Sequence, residues 1–216
     1  MAKTYTREGF VKEYGPYISV ATRGTGILPG TLIAQAIIES QGKVNGSYRV
    51  GGSTLSQKAN NYFGIKCHGW SGKKFNIDTG EQDIAGNRYV EKNACFRAYD
   101  SVEDSIDDYI KFLQENSNYR RAGVFQADTV RSQANALKRA GYATDINYAN
   151  TVTKVYEQVS SYVDKYTKYG IKGIWKSFWY SPKSFVKRNK KAFIGLGILG
   201  VSASLAIYGI IKYNKR

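Results

Sequence analysis

Apolar residues recur at helical spacing in several separate blocks of the chain. Over residues 5–20, Phe10, Tyr14 and Tyr17 lie three or four positions apart, which predicts an amphipathic helix. ATRGTGILPG then breaks the pattern as a loop, and Pro29 opens a second helix at an early position where a missing N–H costs nothing. The body of that helix, TLIAQAIIES, is almost entirely apolar and is expected to sit at the centre of the core. Residues 42–57 are rich in Gly, Ser and Asn and are expected to form loop. The helical period is lost again over 73–97. There Gly80 and Gly86 punctuate short segments such as 87–90 and 93–97, which predicts a two- or three-stranded lobe. Ser101 with Asp104 resembles a capping box, ahead of a helix whose buried stripe is Val102, Ile106, Tyr109, Ile110 and Leu113. Two further helices are predicted over 128–140 and 146–166, the second carrying Tyr148, Val152, Val155, Tyr156 and Val159 on one side. The fold class that follows is α+β, mostly helical with a small β-hairpin lobe, over residues 1–168.

Charge changes the picture only at the C-terminal end. The chain of 216 residues has a formal net charge of +15, and the segment 169–216 carries ten Lys or Arg and no Asp or Glu. A uniformly basic domain would suggest nucleic acid. A basic tail beside an apolar run suggests a membrane surface instead, and no nucleic-acid partner is expected. Residues 192–211, AFIGLGILGVSASLAIYGII, contain no charge and no proline. As a helix they would span about 30 Å, the thickness of a bilayer's hydrocarbon core. The alternative is a buried C-terminal core helix. Lys187, Arg188, Lys190 and Lys191 before the run, Lys212, Lys215 and Arg216 after it, and the upstream aromatics Trp175, Phe178, Trp179 and Tyr180 all favour a transmembrane helix. The expected organisation is therefore a domain at 1–168, a basic aromatic linker at 169–191, a span at 192–211 and a basic tail at 212–216. The bilayer partner would have anionic headgroups.

Glu39 is the first candidate for chemistry. It lies near the C-terminal end of the most apolar helix, with Gln35 one turn earlier on the same face. Among Ile33, Ile37 and Ile38 a carboxyl group loses hydration, and the negative end of the helix dipole acts in the same direction, so its pKa should rise. A carboxylic acid that stays protonated near neutral pH can protonate a departing glycosidic oxygen. An exposed helix-end glutamate is the alternative from position alone.

Four blocks in order then carry a family resemblance. LIAQAIIES, NNYFGIK at 60–66, FRAYDS at 96–101 and YATDINYANTV at 142–152 resemble blocks of glycoside hydrolase family seventy-three, the flagellar- and autolysin-type endo-β-N-acetylglucosaminidases. The family's versions read close to LILAQAALES, NNLFGIK and YATDPNYANKI. The pairing KC…CFR resembles versions in Bacteroidetes and mobile elements. The resemblance covers roughly residues 8–159 and implies a lysozyme-like fold and hydrolysis of peptidoglycan glycan strands.

Carried across residue by residue, Glu39 matches the general acid and Tyr148 a cleft tyrosine that supports catalysis. Glu81 corresponds best to a second carboxylate on the β-lobe, with Asp78, Asp83 and Glu91 as competitors. Gln35, Asn60, Asn61, Phe63, Lys66 and Tyr142 are candidates for substrate binding, because amides and aromatics suit sugar hydroxyls and faces. For the asparagines, local loop capping is an equal alternative. His68, the sole histidine, is read as a surface residue, and with no Cys/His cluster neither metal nor cofactor is expected. Cys67 and Cys95 bracket the lobe and are candidates for a disulfide, with two buried thiols as the alternative.

Two rival activities stay open. A lytic transglycosylase would use one acid on the same glycan, and a non-catalytic wall-binding or structural protein of a phage or secretion apparatus would use none. The expected location is the inner membrane, held by a single C-terminal pass. Peptidoglycan outside that membrane argues for an outward-facing domain. The seven basic residues between 172 and 191, against three after the span, and the lack of an apparent signal peptide argue for a cytoplasmic one. Protease treatment of intact spheroplasts separates the two: a protected domain is the outcome the charge pattern predicts.

Overall fold

Nine of the twelve residues of α2 (Pro29–Ser40) are buried, and Leu32, Ile33, Ala34, Gln35, Ala36 and Ile37 have no exposed surface. In the computed structural model, which describes residues 2–82 and 87–167 and only the backbone of Glu81 and Gln82, three other helices pack against this one. Helices α1 (Arg7–Ala21) and α7 (Tyr148–Thr167) flank it directly, and α6 (Val130–Arg139) packs on both α2 and α7. Gly30 makes the α7 approach possible, because a Cβ there would lie 2.6 Å from the Tyr156 ring. The predicted linker, membrane span and tail lie outside the described residues. Among those described, no helix is long and apolar enough to cross a membrane.

The first helix begins two residues later than its apolar spacing predicts. Thr6 caps it by accepting from the Gly9 N–H, while Tyr5 is extended and exchanges backbone hydrogen bonds of 3.0 Å with Val50. Val50 belongs to the segment expected to be loop, and that expectation needs correction. Residues Gly42–Val44 (β1) and Ser47–Arg49 (β2) form a short antiparallel hairpin, and Thr54–Ala59 form α3. The turn between the strands is Asn45-Gly46, both at positive φ (49° and 80°), which is the two-residue turn that matches strand twist. Polar composition obscured a turn signal that was present.

The lobe is one hairpin of two strands, β3 (Lys74–Gln82) and β4 (Arg88–Arg97), so the two short segments expected over 87–97 are a single strand. Phe75 pairs with Phe96 near the base and Glu81 with Tyr89 towards the far end, with an irregularity between Ile77 and Thr79. The base is held in several ways. Cys67 and Cys95 form a disulfide, the Cys67 N–H donates to the Cys95 carbonyl at 2.9 Å, and Arg97 N–H donates to Ile65 at 3.0 Å. Arg97 also pairs with Asp108 at 2.8 Å, where both side chains are only 13% and 10% exposed, and the Tyr99 hydroxyl donates to the same carboxylate at 2.7 Å.

Asp108 belongs to α4 (Val102–Glu115), whose predicted stripe is buried throughout. Ser101 caps it through the Asp104 N–H, but the Asp104 carboxylate accepts from the Ser101 hydroxyl at 2.7 Å instead of reaching back to the backbone. Aspartate is one methylene too short for the full box. The short helix α5 (Ser117–Arg121) and a 3₁₀ turn (Val124–Gln126) complete the connection to α6. A Thr129/Ser132 capping box starts α6.

The disulfide closes a separation of 28 residues. Cys67→Ala/Cys95→Ala protein should lose about 3 kcal/mol of stability on loop-entropy grounds. Urea denaturation of the oxidised protein against that variant measures the difference. Equal midpoints would show that the disulfide contributes nothing.

Candidate active site

The last turn of α2 is where the buried helix meets a cleft of about 1050 Å³. Ser40 fastens the helix end. Its hydroxyl donates to the Ala36 carbonyl at 2.6 Å and accepts from Gly51 N–H at 3.1 Å, while its carbonyl accepts from Ser53 N–H and the Ser56 hydroxyl. Glu39, one residue earlier, is partly buried and lines the cleft floor. Burial pushes its pKa up to about 7. Its charge in turn raises the pKa values of Tyr142 and Tyr148, whose dominant influence is their own burial, so the three groups share one neighbourhood.

One wall is aromatic and comes from helices and their connections. Tyr148 starts α7 and Tyr142 precedes it, with ring centroids 5.8 Å apart. Tyr142 donates its hydroxyl to the Phe63 carbonyl at 3.2 Å, and the Phe63 ring stacks on Tyr109 at 4.1 Å. Phe112, Tyr119 and Asp145 extend this side. The other wall is the hairpin, through Thr79, Gly80, Arg88, Tyr89 and Val90. None of Phe112, Tyr119, Tyr89 or Arg88 stands out in the sequence. They lie on stretches whose pairing and helix phase decide which side faces the cleft, and only the assembled register reveals it.

The candidates named from sequence divide into two groups. Glu39, Phe63, Lys66, Tyr142 and Tyr148 line the cleft. Lys66 does so with its ammonium 2.6 Å from the Glu91 carboxylate. Gln35, Asn60 and Asn61 do not line it. Gln35 has no exposed surface and donates Nε2 to the Tyr148 hydroxyl at 2.7 Å. Asn60 is the left-handed C-cap of α3 and donates to the Tyr99 carbonyl. Asn61, 1% exposed, donates to Ile65 and Arg97 carbonyls and accepts from Phe63 and Ile65 N–H groups, so its amide splices the NNYFGIK loop to β4. Both polar atoms of the Asn61 side chain are engaged by backbone groups, which leaves its amide nothing to offer a sugar. His68, read as surface, is exposed but sits at the cleft rim, next in sequence to the disulfide. Its adjacency to the NNYFGIK block was the available signal.

Of the four carboxylates considered for the second role, two have structural partners. Asp78, in the irregular part of the ladder, accepts from Lys92 at 2.7 Å and from Asn93 N–H at 2.9 Å, and the Lys92 bond holds its pKa low. Glu91 is engaged by Lys66. The Glu81 backbone lies in β3 opposite Tyr89, a cleft residue. The Glu81 side chain and the whole of Asp83 lie outside the described residues. Among the described residues no group of three His, Cys, Asp or Glu side chains is placed to hold a metal ion.

Residues 15–161 match the glucosaminidase family, described as mannosyl-glycoprotein endo-beta-N-acetylglucosaminidase, and the chain belongs to that family. It is 35% identical over 161 residues to peptidoglycan hydrolase FlgJ of Vibrio parahaemolyticus, covering 74% of this chain and 50% of that protein. It is 31% identical over 135 residues to exo-glucosaminidase LytG of Bacillus subtilis, covering 61% of this chain and 44% of LytG. The chain thus spans about half the length of the curated relatives it matches. Among solved structures, the catalytic domain of the autolysin Auto from Listeria monocytogenes superposes with a TM-score of 0.57 at 29% identity, covering 77% of this chain and 90% of that one. A glycoside hydrolase domain of FlgJ from Salmonella typhimurium gives 0.51 at 29%, covering 72% and 99%. The lysozyme-like α+β fold expected from the sequence is therefore the fold of this chain.

The raised pKa of Glu39 has a consequence for stability. An acid whose folded pKa exceeds its unfolded one binds more protons when folded, so stability falls as pH rises from about 4.5 to about 7. Ionised Glu39 should cost on the order of 1–3 kcal/mol. Glu39→Gln should therefore match the wild type at pH 4 and exceed it at pH 8 in thermal denaturation. A variant no more stable at pH 8 than the wild type would show that Glu39 ionises without penalty.

Proposed function

We propose, from its membership of the glucosaminidase family, that this chain hydrolyses the glycan strands of bacterial peptidoglycan as an endo-β-N-acetylglucosaminidase, with Glu39 as general acid. The observation that carries this reading is a carboxyl group lining an aromatic-walled cleft whose pKa, raised by burial to about 7, keeps about half of it protonated at neutral pH, where an ordinary glutamate is almost fully ionised. In the proposed reaction the glycosidic C–O bond breaks as Glu39 gives its proton to the departing oxygen. Water supplies the hydroxyl of the new reducing end, and its proton passes to a second carboxylate. Glu81 is proposed for that second role. Its register opposite Tyr89 and the engagement of Asp78 and Glu91 elsewhere support the choice. Tyr142 and Phe63 are proposed as faces for sugar packing, and Tyr148 as a hydroxyl beside the acid.

The test is digestion of purified peptidoglycan followed by mass analysis of the fragments. A hydrolase adds one water at each cut and leaves N-acetylglucosamine at the reducing end. Anhydro-muramyl ends would show a lytic transglycosylase instead, and absence of cleavage a non-catalytic protein. Glu39→Gln should lower the rate at least about a hundredfold while remaining folded. The wild-type rate should fall as pH rises through about 7, because the acid form of Glu39 is then depleted. Near-normal turnover by a folded Glu39→Gln protein overturns the assignment. Glu81→Gln should also impair turnover, and full activity would remove Glu81 from the mechanism.

A further inference from the structure

A polar line runs along the most buried helix of the molecule. Thr31, Gln35 and Glu39 follow one another at four-residue spacing on one face of α2, and only the last reaches the cleft. Burying a carboxamide without partners forfeits its hydration, so a glutamine in such a place is tolerated when it is bonded. Gln35 is bonded on one side. Its Nε2 donates to the Tyr148 hydroxyl at 2.7 Å, a contact between residues 113 positions apart that joins α2 to the first residue of α7. Its Oε1 and the equally buried Tyr109 hydroxyl have no hydrogen-bond partner among the described residues. The Tyr109 hydroxyl lies near both Gln35 and Tyr142, and burial holds its pKa well above the ordinary value.

The direction of the bond matters more than its presence. A phenol has one proton to give and lone pairs to receive. Because the amide of Gln35 is the donor, Tyr148 receives it and keeps its own proton for another partner. Below Tyr148 is Gln35, and beside it at 5.8 Å is the Tyr142 ring. Tyr109 and Tyr119 also interact electrostatically with Tyr148, but the charge that acts on it most is that of Glu39, at the cleft. We infer that Gln35 is a positioning residue: by donating to Tyr148 from beneath, it fixes the phenol and directs the phenolic proton into the cleft, making Tyr148 a hydrogen-bond donor to the sugar at the point of cleavage. This rests on reading the cleft as a glycosidase site. The role differs from substrate contact, since Gln35 has no surface to offer a ligand.

Gln35→Met keeps the side-chain length and removes the donor, so it is the main test. In the peptidoglycan assay it should lower kcat at least about tenfold and change KM by less than about twofold, the pattern of an interaction needed in the transition state. Added to Tyr148→Phe it should cost less than about twofold more, because both changes remove one unit. Gln35→Glu replaces the donor with an acceptor when ionised, turns the phenolic proton downward and should be as impaired as Gln35→Met above neutral pH. A second arm needs no activity. In protein labelled with [4-¹³C]tyrosine, the Tyr148 resonance should move in Gln35→Met, while the tyrosines other than Tyr148 and its neighbours Tyr109 and Tyr142 should stay. If Gln35→Met does not fold, Tyr148→Phe is read from the other side, by loss of hydrogen-exchange protection at the Gln35 side-chain amide. Multiplicative losses in the double variant, or an unmoved Tyr148 resonance with normal kcat, overturn the inference. A wild-type chain that leaves peptidoglycan intact overturns the functional reading, while the resonance arm still decides whether Gln35 holds Tyr148.

Discussion

Helix α2 is buried on every side from Gly30 to Ile37, and the arrangement of the domain follows from keeping it that way. Each of Leu32, Ile33 and Ile37 contributes roughly 1.5–3 kcal/mol by leaving water, which offsets the cost of holding a carboxyl at the helix end. Both ends are tied by side chains from distant or adjoining segments. Gln133 of α6, itself buried, accepts from the Leu28 N–H at 2.9 Å and donates to the Gly26 and Val124 carbonyls, standing in for the missing side-chain cap. Ser40 ties the other end to the turn at Gly51. A helix clamped at both ends delivers Glu39 to one point and lets it adopt few other positions.

The cleft that receives it has walls built on different principles. The helical wall is a run of rings, Phe63 on Tyr109, Tyr109 edge-on to Tyr142 and Tyr142 tilted on Tyr148, and it continues straight from the core. The hairpin wall has little core of its own. Tyr89 and Val90 are more than half exposed, and the lobe depends on its base for attachment. The Arg97–Asp108 pair is the interaction that joins the two. It is largely desolvated, it receives a third member in Tyr99, and the guanidinium lies 4.8 Å from the Trp70 ring. Removing either charge would leave the other buried without its counter-charge.

Periodicity was readable where burial was extreme. A largely apolar run entered by Pro29 reads as a central helix, and its one carboxyl near the end is a chemical anomaly visible without a structure. The stripe of α4 was equally plain. Where composition and turn chemistry disagreed, composition misled: Asn45-Gly46 is a strong hairpin signal, yet the polar residues around it suggested loop. The asparagines of NNYFGIK show a different limit. An amide that binds a sugar and an amide that splices a loop have the same side chain, and only the carbonyls facing Asn61 decide between them. Gln35 shares a helix face with Glu39 by spacing alone, but its partner comes from the start of α7, and no local pattern carries that pairing.

The hairpin can also be considered as a lever. Its fulcrum is short and stiff: a disulfide at Cys95, a backbone bridge at Phe96 and an ion pair at Arg97 fall on three successive residues. From Cys95 to Arg88 the strand runs about 23 Å at the usual rise per residue, so a rotation of roughly 10° at the fulcrum carries Arg88 through about 4 Å. That is close to the thickness of a pyranose ring. Even a small rotation at the base would therefore change the width of the cleft by that distance, without any strand having to break a ladder bond.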